Sequence, residues 1–261
     1  MSIQRHHSLA KNKYICFTKS LAMKKIILLS LVAVLTFGFV QAQTSFFAKA
    51  DAFLKKNVSH GGVNYPGIKA NTAELDALVA QIASFPAASV DKKTKKAFYL
   101  NAYNILVIKN VVNHYPISKP LDVPGFFDQK KFKVAGSSLT LSDIENKKVR
   151  PTFKDARVHF ALVCAAKSCP PIAAYAFTPG KVETQLDVLT KKAMNSSSFI
   201  KVDNENKKVR LSMILDWYKS DFLAESKTII EFVNKYRSTP VPATYKQSFY
   251  TYNWALNLKK K

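Results

Sequence analysis

The sequence predicts an α+β fold: a single domain in which a buried central helix packs on a small, mainly antiparallel sheet. Three observations point there. Segments with helical periodicity occupy both ends of the chain, while two short polar–apolar hairpins lie between them. Strand-length and helix-length segments do not alternate as repeated βαβ units, which argues against a parallel α/β sheet. One helix-length segment, Lys93 to Asn113, is apolar almost all round, with Phe98, Leu100, Tyr103, Ile105, Leu106, Val107, Ile108, Val111 and Val112. A helix without a polar face is one that the core surrounds.

The chain opens with a leader. Met23-Lys24-Lys25 precedes an apolar run from Ile26 to Val40, and Gln41-Ala42 then supplies the small residue at which a signal peptidase cuts. Residues 23–42 read as a secretory signal peptide, and 1–22 as an upstream extension that the mature protein lacks. The run is about 15 residues long, short of the roughly 20 that span a bilayer, and no second run follows, so no transmembrane anchor is expected. The expected product is exported to the periplasm or medium and soluble. Cleavage after Ala42 removes six Lys or Arg and no acid from a chain of formal charge +23, which leaves 219 residues carrying +17. That length suits one core. The charge would attract an anionic envelope polymer or an acidic protein partner, and export removes nucleic acid from consideration. Most lysines are scattered as a solvated surface would have them. Lys92, Lys93, Lys95 and Lys96, and the tail 258–261, look like patches.

Each element has a local cause. Thr44 to Lys56 places Phe46, Phe47, Ala50, Phe53 and Leu54 on one helical face. Asn71-Thr-Ala-Glu74 has the spacing of a capping box for a second helix ending near Ser84, and Ser89 leads into the central helix. These segments, 43–92, form an amino-terminal helical part. Lys131 to Leu141 alternates about Gly136 as a hairpin. Ser142-Asp-Ile-Glu145 has capping-box spacing, and Pro151 should stop the helix that it opens. Val158 to Cys164 is an apolar run of strand length. Thr178-Pro179 starts a helix that runs to about Met194. Ile200 to Val202 and Val209 to Leu211 flank a polar turn as a second hairpin. Ser212 to Phe222 and Ser226 to Tyr236 read as helices, and Phe249 to Tyr252 as a returning strand.

Six blocks in this order resemble a known family. They are Phe98-Tyr-Leu-Asn-Ala-Tyr-Asn104, His114-Tyr-Pro116, Leu139 to Glu145, Arg157 to Pro171, Leu211 to Phe222 and Tyr252-Asn-Trp-Ala-Leu-Asn257. Together they are similar to the domain of unknown function 547, over residues 93–257. The resemblance implies a domain boundary and a cleft, and no reaction. It implies a cysteine at the position of Cys164 and admits serine at that of Cys169, so a bridge between them stays open.

Chemistry is expected where Arg157 to Pro171 carries Cys164 and Cys169. As a nucleophile, Cys164 would sit at a strand end followed by Ala165, Ala166 and Ser168, small residues that admit a substrate and backbone donors. Lys167 would favour its thiolate. Side-chain alternation along a strand sends His159 to the opposite face, which leaves His114 as base and Asn101 or Asn104 to orient it. Tyr103, Lys167 and Ser168 would surround the substrate. The resulting function is a thiol-dependent hydrolase or acyl transferase of the cell envelope. The alternative is a non-catalytic envelope binding protein in which Cys164 and Cys169 form a structural disulfide of about 2 kcal/mol.

The remaining polar residues have plain structural readings. Asn101 and Asn104 can satisfy loop backbones, His114 can cap its helix end, and Glu145 is accounted for by capping. The spacing of His159, Cys164 and Cys169 lacks the second ligand pair of structural zinc, and no phosphate-binding loop or zinc-protease motif occurs, so neither metal nor cofactor is expected.

Overall fold

The computed structural model describes residues 45–259. The expected signal peptide, the extension before it and the last two lysines of the tail lie outside the described residues. From Phe46 onward the chain forms one compact unit.

Helix α1 (45–57) buries Phe46, Phe47, Ala50, Phe53 and Leu54, as its periodicity requires. It leads into a tight hairpin, β1 (Val58–Ser59) and β2 (Gly62–Val63). His60 and Gly61 turn that hairpin at φ of 50° and 76°. Helices α2 (Tyr65–Ala70) and α3 (Ala73–Ser84) follow. The capping box expected at Asn71 and Glu74 does not form. Thr72 is the cap residue, Asn71 Oδ1 accepts from Ala73 N–H, and Glu74 pairs with Lys56 instead. Helix α4 (Lys92–His114) is the central helix, and Asp91 starts it by accepting from Lys93 and Thr94 N–H. It packs against α2, α3 and the elements that follow, so its apolar residues are buried on every side. Lys96 does not join a surface patch. It turns inward to Asp155 and Glu183.

Strands β3 (Lys131–Val134) and β4 (Ser137–Thr140) pair as the expected hairpin, turned by Ala135 and Gly136 at positive φ. The next helix begins earlier than Ser142. Thr140 and Asp143 form the capping box, each accepting the other's backbone N–H at 3.0 Å. Helix α5 (Leu141–Asp143) then widens into a π turn over Ile144–Val149 and closes as α6 (Arg150–Phe153). Pro151 does not stop this helix. A proline lacks an N–H and crowds the carbonyl four residues back, and the wider register just upstream, with Arg150 N–H on Glu145 O, carries the chain into α6 before it ends at the left-handed Lys154.

No strand forms over Val158 to Cys164. Ala156–Phe160 is a 3-10 turn opened by Asp155, and the run beyond it pairs with a side chain rather than a sheet. Asn104 Nδ2 donates to Ala161 O at 2.8 Å, and its Oδ1 accepts from Val163 N–H at 2.9 Å. The apolar pattern therefore signalled burial but not the hydrogen-bond partner.

Helix α7 (Val182–Met194) precedes a second hairpin, β5 (Ile200–Asp203) with β6 (Lys208–Leu211). The helix expected over Ser212 to Phe222 breaks at Tyr218 into α8 (Ile214–Trp217) and α9 (Lys219–Leu223). Thr228 caps α10 (Ile229–Tyr236). Strand β7 (Lys246–Phe249) lies slightly ahead of its expected place and adds parallel to β6. The class is thus α+β, with pairing among the described residues dispersed over three small sheets, mostly antiparallel. No described helix is long and apolar enough to cross a membrane.

The last described segment ties the domain together. Asn257 N–H donates to Ala165 O, Lys167 N–H to Ala255 O and Ser168 N–H to Asn253 O, while Lys259 N–H reaches Val63 O. Tyr65 donates its buried hydroxyl to Asn257 Oδ1 at 2.7 Å. The cysteine loop is held along one side by this segment and on the other by Asn104.

Candidate functional site

A cavity of about 400 Å³ opens where α4, the π turn, the cysteine loop, α8 and the carboxy-terminal segment meet. Six aromatic rings stand in its wall. Trp217, about half exposed at 46 %, stands at the wall, its ring 4.7 Å from Tyr252 and 5.9 Å from Trp254. Tyr103, Phe127 and Tyr218 complete the enclosure.

Ser142, Glu145, Asn146 and His159 bring polar groups to this space, and two of them carry titratable side chains. Glu145, buried in the π turn, lines the cavity with Tyr103 and Tyr218, near enough for its charge to act on both hydroxyls. Burial, and then the charge of Glu145, hold both hydroxyls well above the ordinary tyrosine pKa, so they stay protonated as donors. The π turn is what aims this carboxylate, and such turns recur at functional sites. His159 is the second group. Its ring stacks on Tyr218 with centroids 3.8 Å apart, and Nε2 meets Asp221 Oδ2 at 2.8 Å. Arg150 grips the same carboxylate through Nε at 2.7 Å and Nη2 at 2.9 Å. Hydrogen bonds from His159 and Arg150 hold Asp221 well below the usual carboxylate range.

Cys164 and Cys169 also line the cavity, joined as a disulfide with Cα atoms 6.3 Å apart. The Tyr252 hydroxyl lies 3.2 Å from Cys164 Sγ and 3.1 Å from Cys169 Sγ, and Cys164 N–H donates to Cys169 Sγ at 3.0 Å. Closing so short a loop stabilises the domain by about 2 kcal/mol.

The residues singled out in the sequence are only partly brought together. Cys164 and Tyr103 share the cavity, but His114 does not line it. His114 sits at the end of α4 with Nδ1 on Asn110 O at 2.8 Å. His159 lines the cavity instead, because the alternation that sent it to the opposite face needs a strand and the chain makes a 3-10 turn. Asn101 is fully engaged with backbone: Nδ2 donates to Ala97 O and Phe177 O, and Oδ1 accepts from Phe177 N–H. Asn104 is engaged likewise with Ala161 and Val163. Lys167 lines a second cleft of about 660 Å³ with His60 and Lys259, and Cys169 lines both this cleft and the aromatic cavity. Ser168 Oγ accepts from Asn253 N–H. Glu145 was missed because its assumed capping role belongs to Asp143. Among the described residues no three His, Cys, Asp or Glu side chains cluster as metal ligands.

Asn104 holds the cysteine loop through two buried bonds. Replacing it by alanine orphans Ala161 O and Val163 N–H, and each unpaired buried group costs about 1 to 3 kcal/mol. We expect Asn104→Ala to lower stability by about 2 to 4 kcal/mol in urea unfolding; a loss within experimental error would show that water replaces the amide.

The π turn, His159 and both cysteines lie on one continuous stretch of sequence. Residues 87–192 match a family model described as "Protein of unknown function, DUF547". The DUF547 match covers the central helix, Glu145, His159 and the disulfide, and stops within α7. Trp217, Tyr218, Tyr252 and Trp254 come from beyond it, as does Asp221 behind His159, so the cavity is built from the DUF547 segment and the later chain together. No curated protein and no solved structure matches this chain.

Proposed function

We propose that this is an exported protein of the cell envelope that binds a small ligand bearing an ammonium group in the aromatic cavity. The observation that carries this reading is a buried carboxylate, Glu145, set in a wall of Trp217, Trp254, Tyr252, Tyr218, Tyr103 and Phe127. The negative faces of aromatic rings attract a cation, and a carboxylate among them supplies the counter-charge. The hydroxyls of Tyr103 and Tyr218 share the cavity with that carboxylate. A bridged Cys164–Cys169 pair suits an oxidising compartment, which supports export. The basic surface offers a less defined site for an anionic polymer, since Lys96 and Lys109 are taken up by Asp155, Glu183 and Asp76.

Titration of the purified protein with tetramethylammonium and with a primary alkylamine, followed by tryptophan fluorescence and calorimetry, tests the reading. We expect binding that perturbs the emission of Trp217 and Trp254. Glu145→Gln should weaken it about tenfold or more, as loss of a desolvated cation's partner requires. A neutral isostere or a sugar that binds more tightly than the ammonium probes, with no loss in Glu145→Gln, would overturn it.

A further inference from the structure

The disulfide forms part of the cavity wall, and His159, a residue type that activates cysteine nucleophiles, lines the same cavity. We infer that reduction of Cys164–Cys169 by a dithiol unmasks a nucleophilic site in which Cys164 attacks acyl compounds, with His159 as base and Asp221 as the residue that orients it. This goes beyond ligand binding and does not depend on which ligand the cavity takes.

Four observations lead there. Cys164 and His159 line the same cavity, because the 3-10 turn removes the alternation of a strand. Asp221 holds Nε2 of His159, so that nitrogen carries the proton and Nδ1 is left to accept one. Arg150 fixes Asp221 and the Tyr218 ring fixes the imidazole plane, so the base is positioned before any substrate arrives. Tyr252, already touching both sulfurs, is a donor to whichever sulfur carries charge, and such a donor favours the thiolate. The titratable and charged groups around the imidazole and the sulfurs are Asp221, Arg150, Tyr218, Glu145, Tyr103 and Tyr252, with His60, Lys167 and Lys259 in the second cleft that Cys169 also lines.

The loop does not need the disulfide to stay in place. Asn104 holds Val163, and the carboxy-terminal segment holds Ala165, Lys167 and Ser168. In the reducing step the dithiol is oxidised to its own disulfide, and Cys164 and Cys169 each gain one electron and one proton. The Cys164 proton then passes to His159 Nδ1, and the thiolate forms a C–S bond to the acyl carbon. The leaving amine or alcohol departs with the proton returned by the imidazolium. Water cleaves the thioester, releases the acid and restores the thiol.

Alkylation kinetics test this without a known substrate. The mature protein is reduced with dithiothreitol under native conditions, its fold followed by circular dichroism. It is then treated with iodoacetamide from about pH 5 to about pH 9, a range that brackets an ordinary thiol near 8.5. Mass spectrometry assigns each adduct. We expect Cys164 at about pH 6 to react about tenfold or more faster than Cys169, as a thiolate with lowered pKa does. His159→Gln should abolish that advantage. Asp221→Asn should reduce it in the same direction and serves if His159→Gln does not fold. Ordinary thiol profiles for both cysteines, profiles unchanged in the variants, or reduction only on unfolding would each overturn the inference. Ammonium binding to the oxidised protein is unaffected by any of these results, so the two readings fail separately.

Discussion

Replacing Asp155 by alanine lowers the stability of the domain by about 3 to 5 kcal/mol, the cost of leaving buried charge without its partner. Asp155 Oδ2 accepts from Lys96 Nζ and from Arg157 Nη2, both at 2.8 Å, and Oδ1 accepts from Arg157 Nε at 2.9 Å. The side chains of Lys96 and Asp155 are only 7 % and 9 % exposed. Without the carboxylate, Lys96 keeps Glu183 alone, a residue far more open to water. Burial by itself raises the pKa of Asp155, but hydrogen bonds from Arg157 and Lys96, and their charges, outweigh it and leave the carboxyl at about 2 against an ordinary 3.8. Because the folded value lies below the unfolded one, the carboxylate contributes its stability above about pH 4 and loses it as the pH falls through about 2. The contribution is about 2 kcal/mol. Urea unfolding at neutral pH and through the acid range reads both effects. We expect a lower midpoint in Asp155→Ala at neutral pH and a flatter acid limb. A variant that matches the parent at both ends would show that water already screens the cluster.

Phe98→Ala carries a loss of similar size, about 3 to 5 kcal/mol, for removing a fully buried ring from a packed core. Phe98 lies on α4 and stacks on Phe85 with centroids 3.9 Å apart, while Phe46 and Tyr99 approach within 5.6 Å and 5.0 Å. Phe46 comes from α1 and Phe85 from the segment after α3. Two other stretches of chain rest on this ring of α4, and neither can shift to fill the hole without leaving its other contacts. Phe46 and Phe98 also place the amino-terminal helices and the central helix in one core. We expect a single cooperative unfolding transition, displaced to lower urea in the variant. A change below about 1 kcal/mol would mean that the ring cluster collapses freely.

What could be read from the chain followed from local periodicity. The all-round apolar pattern of Lys93 to Asn113 found the central helix, and both hairpins lie where alternation put them. Helix starts were harder, because several polar residues in a row can cap. Asn71, Ser142 and Ser226 each had suitable chemistry, while Thr72, Thr140 and Thr228 are the cap residues observed. The misplacement of one box by two residues assigned Glu145 to capping and hid it from the site. The Val158 to Cys164 run failed for a different reason: an apolar stretch must be buried, but a single asparagine on a neighbouring helix can satisfy its backbone as a strand would.

The amino-acid order alone settles the α+β class, the burial of α4 and the presence of two cysteines five residues apart, since each depends on neighbours within a turn or a strand. The cavity depends on distances that no local pattern encodes. Glu145 meets Tyr218 across more than seventy residues, and His159 meets Asp221 across 62. Tyr252 reaches Cys164 across 88. Such pairs form only when burial of the whole core brings remote segments together, and the π turn and the 3-10 turn then decide which side chains face inward.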